Sequence, residues 1–431
     1  MRSRLLLRRA GAAAGIYSSA ALGFLATIVA AHLFSRHTFG MYAIVLAATG
    51  FFQSVADLTV EEALIKFGFR YTARQDWGRL RRLFESAVVF KLTGGLVGAS
   101  ALLVLSPLSY AVFHKHGLST AFAVAALIPA TQSLENVAGV ALILHGRYDI
   151  RGFFLFTSML LRLVAVAVGA PHGLVATVAA LAAAQALATS AIGVAGWLAY
   201  RRFPRTSARP FGDERRPIFA FVAQSSIATV VTSLTTTLAT LILGRVASTT
   251  QVGYFRTALS PQQAFAAISS PARLILLTEQ TRDWEHGRRE EVYRGIRRYM
   301  LAAAALSAVL LPPLLVFTPD VVRLVFGAKW EHAARAMRLI IAAGALRMVY
   351  GWTKSFPVSI GRPNLRIRTH GVEALVLAPL TGVFGARWGA TGAAGAVVVS
   401  SVAFCLYWTL LYVRIRREPA PPPHRAEPVV A

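Results

Sequence analysis

The sequence predicts an all-α integral membrane protein of twelve transmembrane helices, and three observations carry that prediction. Hydrophobic residues make up 55% of the chain and charged residues only 15%, with a mean hydropathy of +0.55. A soluble domain carries about a quarter of its residues as charges. Apolar runs recur from end to end, each close to the roughly 20 residues that cross about 30 Å of hydrocarbon. Finally, the stretch 33–62, LFSRHTFGMYAIVLAATGFFQSVADLTVEE, has a looser copy at 241–268, LILGRVASTTQVGYFRTALSPQQAFAAI.

Taken in order, the predicted segments are 11–34, 41–68, 86–107, 120–144, 153–170, 174–200, 218–243, 254–278, 299–317, 336–360, 371–386 and 390–413. Unpaired backbone groups are not tolerated in lipid, so each run reads as a helix. The first segment follows Arg2, Arg4, Arg8 and Arg9. It is longer than a signal-peptide core and reads as a retained helix. The fifth is short, and Pro379 interrupts the eleventh.

Charge then orients the segments. The net charge is +26, from 45 Lys and Arg against 19 Asp and Glu. In a soluble chain this would suggest nucleic acid; here the basic residues lie in short connections, so no nucleic-acid partner is expected. With the N-terminus inside, the cytoplasmic pieces hold 30 Lys and Arg, the opposite loops hold 7, and 8 lie within segments. The densest inside connections are 70–82, 201–216 and 282–298. Positive residues accumulate on the cytoplasmic side, so both termini are expected there. The single Cys405 excludes an intrachain disulfide and a Cys-rich metal site.

The duplication is the next element to justify. Gly40 pairs with Gly253, Asp76-Trp77 with Asp283-Trp284, Gly146-Arg147 with Gly361-Arg362, and 169–173 with 385–389. The offsets lie between 207 and 216 and the topological positions match. Six helices separate the copies, so both halves have one orientation. The predicted organisation is a first bundle over 1–200, an Arg-rich linker over 201–217, a second bundle over 218–413, and a tail over 414–431. That tail, rich in Pro, is expected to be disordered.

The early LFSRHTFGMYAIVLAATGFFQSVADLTVEEALIKF and the late GRPNLRIRTHGVEALVLAPLTGVFGARWGATGAAGAVVVSSVAF resemble Wzx-type polysaccharide flippases. These belong to the multidrug/oligosaccharidyl-lipid/polysaccharide exporter superfamily. The similarity runs from about residue 5 to 415 and rests on spacing and small-residue pattern. Thr59 departs from it, following Asp57-Leu58 where these proteins often have Gly. The resemblance implies two six-helix bundles around a central cavity, lined typically by helices 1, 2, 7 and 8. It also implies alternating-access movement of an anionic lipid-linked sugar across the bacterial inner membrane. The partners expected are lipid-linked oligosaccharide, membrane lipids, and polysaccharide polymerase and chain-length machinery. No cofactor is expected.

Charges inside a membrane are costly and usually face a bundle interior or water. Eight cations lie within segments: Lys66, Lys91, Arg162, Arg256, Arg273, Arg338, Arg347 and Lys354. Lys66, Arg256 and Arg338 sit near segment ends and read as snorkelling to the interface. Arg162 and Arg347 lie near mid-segment, and Arg273 follows Pro271. Lys354, seven residues after Arg347, shares its helix face. Lys91 is about five residues into its segment. The functional reading assigns Arg273, Arg347, Arg162, Lys354 and Lys91 to a substrate pyrophosphate, a task suited to the Arg fork. Gln53 and Gln262, with Gln224 and Gln263, suit a glycan. The competing reading is structural: the cations pair with buried acids, and the amides join helices. Asp57, Glu62 and Glu135 are the acids assigned to ion coupling or such pairing, and Glu62 with Lys66 is an i,i+4 pair.

No phosphate loop, metal spacing or Ser-His-Asp set occurs, so no catalysis is expected. The alternatives are a cation-coupled multidrug antiporter of the same fold, which calls for an acidic cavity, and a membrane glycosyltransferase or ligase. The latter would rest on Asp320, Arg323, Glu331 and His332. Twelve segments also argue against a lipid II flippase, which resembles fourteen-helix proteins.

Overall fold

A computed structural model describes residues 2–56, 60–262, 286–362 and 364–418, with Phe265, Leu276 and 279–284. All regular elements among these residues are helical. They are α1 (Arg2–Leu33), α2 (Arg36–Ala56), α3 (Val60–Ala73), α4 (Trp77–Phe113), α5 (Ser119–Ala125), α6 (Leu127–Gln132), α7 (Glu135–Leu144), α8 (Tyr148–Gly169) and α9 (Leu174–Tyr200). There follow α10 (Arg215–Val246), α11 (Thr249–Ala258), α12 (Arg289–Phe326), α13 (Ala333–Val349), α14 (Phe356–Ser359) and α15 (Asn364–Arg417). Among the described residues, 8 spans are long and apolar enough to cross a membrane. The chain is a multi-pass membrane protein.

Several helices run past their apolar windows, because hydropathy marks the lipid crossing and caps mark the ends. Segment 86–107 is the middle of α4, which begins after Asp76. That carboxylate accepts from the Arg79 amide at 3.1 Å, an N-cap that starts the helix nine residues before the lipid-crossing run. The tenth segment is not one helix. It turns at Tyr350 into a 3-10 turn, Gly351–Lys354, and then α14. At Gly351 the Tyr299 hydroxyl, which donates to the Met348 carbonyl at 2.9 Å, occupies the space a Cβ would need. The helix α11 closes at Leu259, just before Pro261, whose ring would clash with the Thr257 carbonyl. The last two segments meet at Gly389, where φ 56° and ψ −132° break one long helical run.

The halves are related by a reciprocal contact. A Cβ on Gly40 would overlap the Thr249 carbonyl, and one on Gly253 would come within 3.0 Å of the Arg36 carbonyl. Each glycine thus receives the residue four positions before its counterpart, the self-complementary pattern of a two-fold axis. Gly146 and Gly361 take φ of 68° and 72°, and Gly173 and Gly389 take 100° and 56°. The Asp-Trp pair does not fit. Asp76 caps α4, whereas Asp283 accepts from the Arg288 side chain at 2.7 Å, ahead of α12. The offset of 207 was the outlier, and helix starts show why: Trp77 opens α4 and Arg289 opens α12, 212 apart.

Around this axis lies the main core. Trp330 is fully buried, with ring centroids 4.9 Å from Phe39 and 5.9 Å from Tyr254. Its indole donates to the Ala31 carbonyl at 3.0 Å. Lys329 beside it donates to the carbonyls of His32 and Phe34, both at 2.8 Å. The α12–α13 connection therefore satisfies the orphan carbonyls at the end of α1. On the other side, Arg245 at the end of α10 reaches His114 at the end of α4. Both links lie where α1, α4 and α10 end.

Candidate functional site

Two cavities lie near the axis: one mainly in the first half, to which α11 of the second half adds Arg256, and one within the second half. The first, about 530 Å³, is walled by α1, α2, α8 and α11. Its polar lining comes from Tyr17, Ser19, Thr27, Tyr42, Arg162 and Arg256. Arg162 and Arg256 arrive from helices nearly a hundred residues apart, with Tyr42 within electrostatic reach of both. Among the described residues neither guanidinium has a carboxylate at ion-pair distance. Glu135 at the start of α7 feels the charge of Arg162, but its Oε2 accepts from the Gln185 amide at 2.7 Å. Gln185 in turn donates to Thr189 at 3.0 Å. The other nearby cation, Arg151, is ion-paired with Glu61.

The second cavity, about 260 Å³, is lined by Gln262, Arg347, Lys354, His370 and Glu373, among others. Here the charges are tied together. Arg347 forms an ion pair with Glu373, donates to the Ser401 hydroxyl at 3.2 Å, and lies 4.4 Å over the Phe404 ring. His370 Nδ1 meets the other Glu373 oxygen at 3.0 Å. The carboxylate is 3% exposed as a residue, so it is sequestered and has a partner on each oxygen. An isolated buried carboxylate would be costly; paired in this way it is not.

The candidate residues thus fall into separate groups. Arg347, Lys354 and Gln262 come together in the second cavity. The shared helix face drawn for Arg347 and Lys354 is corrected: Lys354 lies on the 3-10 turn beyond the end of α13 and is exposed. Arg162 lies in the first cavity. Lys91 is 2% exposed on α4, fourteen residues into that helix rather than five. Gln53 is half-buried on α2, and Glu62 is exposed on α3. Arg273 and Asp57 lie outside the described residues, as do Gln263 and Pro271.

Two functional candidates escaped the sequence. Arg256 was read as a snorkelling end residue. Its segment starts at 249 rather than 254 and faces the axis, so its guanidinium enters the first cavity. His370 carries no role in the sequence reading, although the spacing His370-x-x-Glu373 on a helix places the two side chains on one face. The set Asp320, Arg323, Glu331 and His332 is split between the end of α12 and the connection to α13. Arg323 and Glu331 form an ion pair at 2.9 Å, and His332 stacks on Tyr254 with centroids 5.8 Å apart.

This helical arrangement is shared with transporters of the multidrug/oligosaccharidyl-lipid/polysaccharide exporter (MOP) superfamily. An inward-facing multidrug-resistance MATE transporter of that superfamily superposes with a TM-score of 0.72, at 12% identity, over 93% of this chain and 96% of that one. The lipid II flippase MurJ in an inward closed conformation gives 0.69, at 10% identity, over 94% and 87%. A MOP transporter from Pyrococcus furiosus, described by the reverse polarity of its binding pocket, gives 0.61, at 14%, over 96% and 95%. Helix counting therefore does not set the chain apart from lipid II flippases at the level of the fold. No curated relative matches in sequence. The polysaccharide biosynthesis protein family matches residues 29–335, and the chain belongs to it.

Proposed function

We propose that this chain is a flippase for a lipid-linked oligosaccharide or polysaccharide repeat unit, crossing the bacterial inner membrane by alternating access. The single observation that carries this reading is the pair Arg162 and Arg256, two cations that line one cavity and have no acid partner among the described residues. A pyrophosphate carries the complementary charge, and guanidinium forks bind it through paired, charge-assisted hydrogen bonds. Arg347 is already neutralised by Glu373, so it serves the second half as a strut. Tyr17, Ser19, Thr27 and Tyr42 offer hydroxyls for sugar.

In this reading twelve helices cross the membrane with both ends cytoplasmic. Residues 1–200 and 218–413 rock against each other about the Gly40–Gly253 contact, with 201–217 as the linker. The Trp330 and Lys329 links and the Arg245–His114 link form the outer gate. Neither nucleotide-driven transport nor catalysis is part of the proposal. A cationic drug would meet two positive charges in the first cavity, neither paired with an acid among the described residues, which disfavours the multidrug alternative.

The test uses cells lacking the native gene and complemented with Arg162→Gln, Arg256→Gln or both. The readout is lipid-linked repeat unit in the outer leaflet, at matched protein level. Losing a charged hydrogen-bond donor predicts about tenfold or greater loss for each single variant. Full export by the double variant would overturn the assignment.

A further inference from the structure

At the Arg-rich end of the first half there is a third cavity, about 300 Å³, away from the axis. Its floor and walls are aromatic: Trp77, Trp197, Tyr200 and Phe203 line it, with Arg201 and Arg205 at its rim. The floor is rigid. Phe203 stacks on His145 with centroids 4.3 Å apart, and His145 Nε2 bonds the Ala199 carbonyl at 2.8 Å. Trp77 packs 5.9 Å from the same Phe203 ring. The turn that follows α9 is closed by Arg201 N to Trp197 O at 2.9 Å and Phe203 N to Tyr200 O at 3.1 Å. That turn holds Arg201 with its guanidinium 4.0 Å over the Trp197 ring. Arg81, also lining the cavity, is bound to Glu85 and to the Thr206 carbonyl. Arg201 and Arg205, by contrast, have no ion-pair partner among the described residues.

The surface leading to this cavity is apolar and exposed. Leu187, Val194, Trp197 and Leu198 are each 50% exposed or more, along one side of α9. In a membrane-spanning helix that stripe faces acyl chains, and its end at Trp197 marks the headgroup level where Trp and basic residues gather. A pocket there with two unpaired arginines meets the requirements of an anionic headgroup whose chains run down the helix.

We propose that this pocket is a binding site for an anionic phospholipid, with the phosphodiester held by Arg201 and Arg205 and the acyl chain lying along Val194 and Leu198. It is separate from the transport cavity, so it holds a resident lipid rather than cargo. By clamping α9 to the start of α4, an occupied site ties the linker to the first half.

The test is native mass spectrometry of the full chain released from vesicles of phosphatidylcholine with phosphatidylglycerol, counting retained phosphatidylglycerol against its concentration. Arg201→Gln with Arg205→Gln is compared with wild type and with Arg294→Gln plus Arg298→Gln. The latter removes two exposed cations on α12 near the same Arg-rich end but touches no aromatic pocket. At roughly one kcal/mol per basic residue near the surface, the pocket variant should lose one retained lipid, its affinity falling about thirty-fold. The α12 variant should keep it. Trp197→Leu, which keeps an apolar volume but removes the stacking face, should weaken retention by a smaller factor. Equal losses in the two double variants would reduce the effect to general surface charge and overturn the proposal. So would unchanged retention in the pocket variant, or displacement of the lipid by inorganic phosphate.

Discussion

The two halves of this molecule carry the same polar architecture with the charges exchanged. In the first, an acid on α7, Glu135, is held by Gln185 on α9, and a base on α8, Arg162, is left facing a cavity. In the second, a base on α13, Arg347, reaches Ser401 on α15, while an acid on the same long run, Glu373, closes on that base. Gln185 and Ser401 are 216 residues apart, the same spacing as Gly173 and Gly389. The difference teaches where a duplicated bundle keeps its reactive charge. One copy pairs its ions internally; the other leaves Arg162 facing a cavity, the charge that the proposed function assigns to a ligand.

The comparison can be broken most forcefully at Arg347. Arg347→Ala leaves Glu373 buried with one partner lost, and removing one member of such a pair costs about 3–5 kcal/mol. Thermal unfolding in detergent should show a large drop, and Arg347→Met with Glu373→Gln should recover most of it. A small loss for the single variant would mean that the pair is not a strut. Next in size is the axis itself. Gly40→Ala drives a methyl into the Thr249 carbonyl and should cost about 1–3 kcal/mol, with Gly253→Ala at the lower end because its contact is looser. Equal stability of both variants with wild type would remove the reciprocal contact from the account.

Glu135→Gln keeps a carbonyl for the Gln185 amide but loses the charge on the acceptor. Its effect should be about 1 kcal/mol, read by the same unfolding curve. Smallest is Arg162→Gln, which breaks no ion pair and should move stability by no more than about 0.5 kcal/mol. Its effect belongs to export. A large destabilisation here would make Arg162 a strut like Arg347.

Much of the fold was legible because hydropathy and helix formation obey one rule in lipid. The apolar runs and the positive-φ glycines announce themselves locally, whereas Gly40 and Gly253, matched as copies in the sequence, lie inside α2 and α11. Where the reading slipped, a tertiary fact had intervened. Lys354 left the face of Arg347 because Tyr299 fills the space at Gly351, a neighbour from a different helix. Asp283 did not match Asp76 because its role is set by Arg288, not by a helix start. The site was less legible still. Sequence can place Arg162 in mid-segment, but it cannot say that Arg256 comes to the same cavity or that Glu373 claims Arg347. One hint was missed: between 225 and 240 the chain that forms α10 carries nine Ser or Thr, which lowers its hydropathy and suits a helix beside a polar cavity.

The central claim is that the arginines facing the first cavity, Arg162 and Arg256, do the transport work and that the paired ions of the second cavity do not. The most direct measurement is export of the lipid-linked repeat unit, at matched levels of folded protein, by two double variants. These are Arg162→Gln with Arg256→Gln, and Arg347→Met with Glu373→Gln. The account predicts that the first abolishes export while the second retains most of it. Export surviving in the first and lost in the second would contradict it.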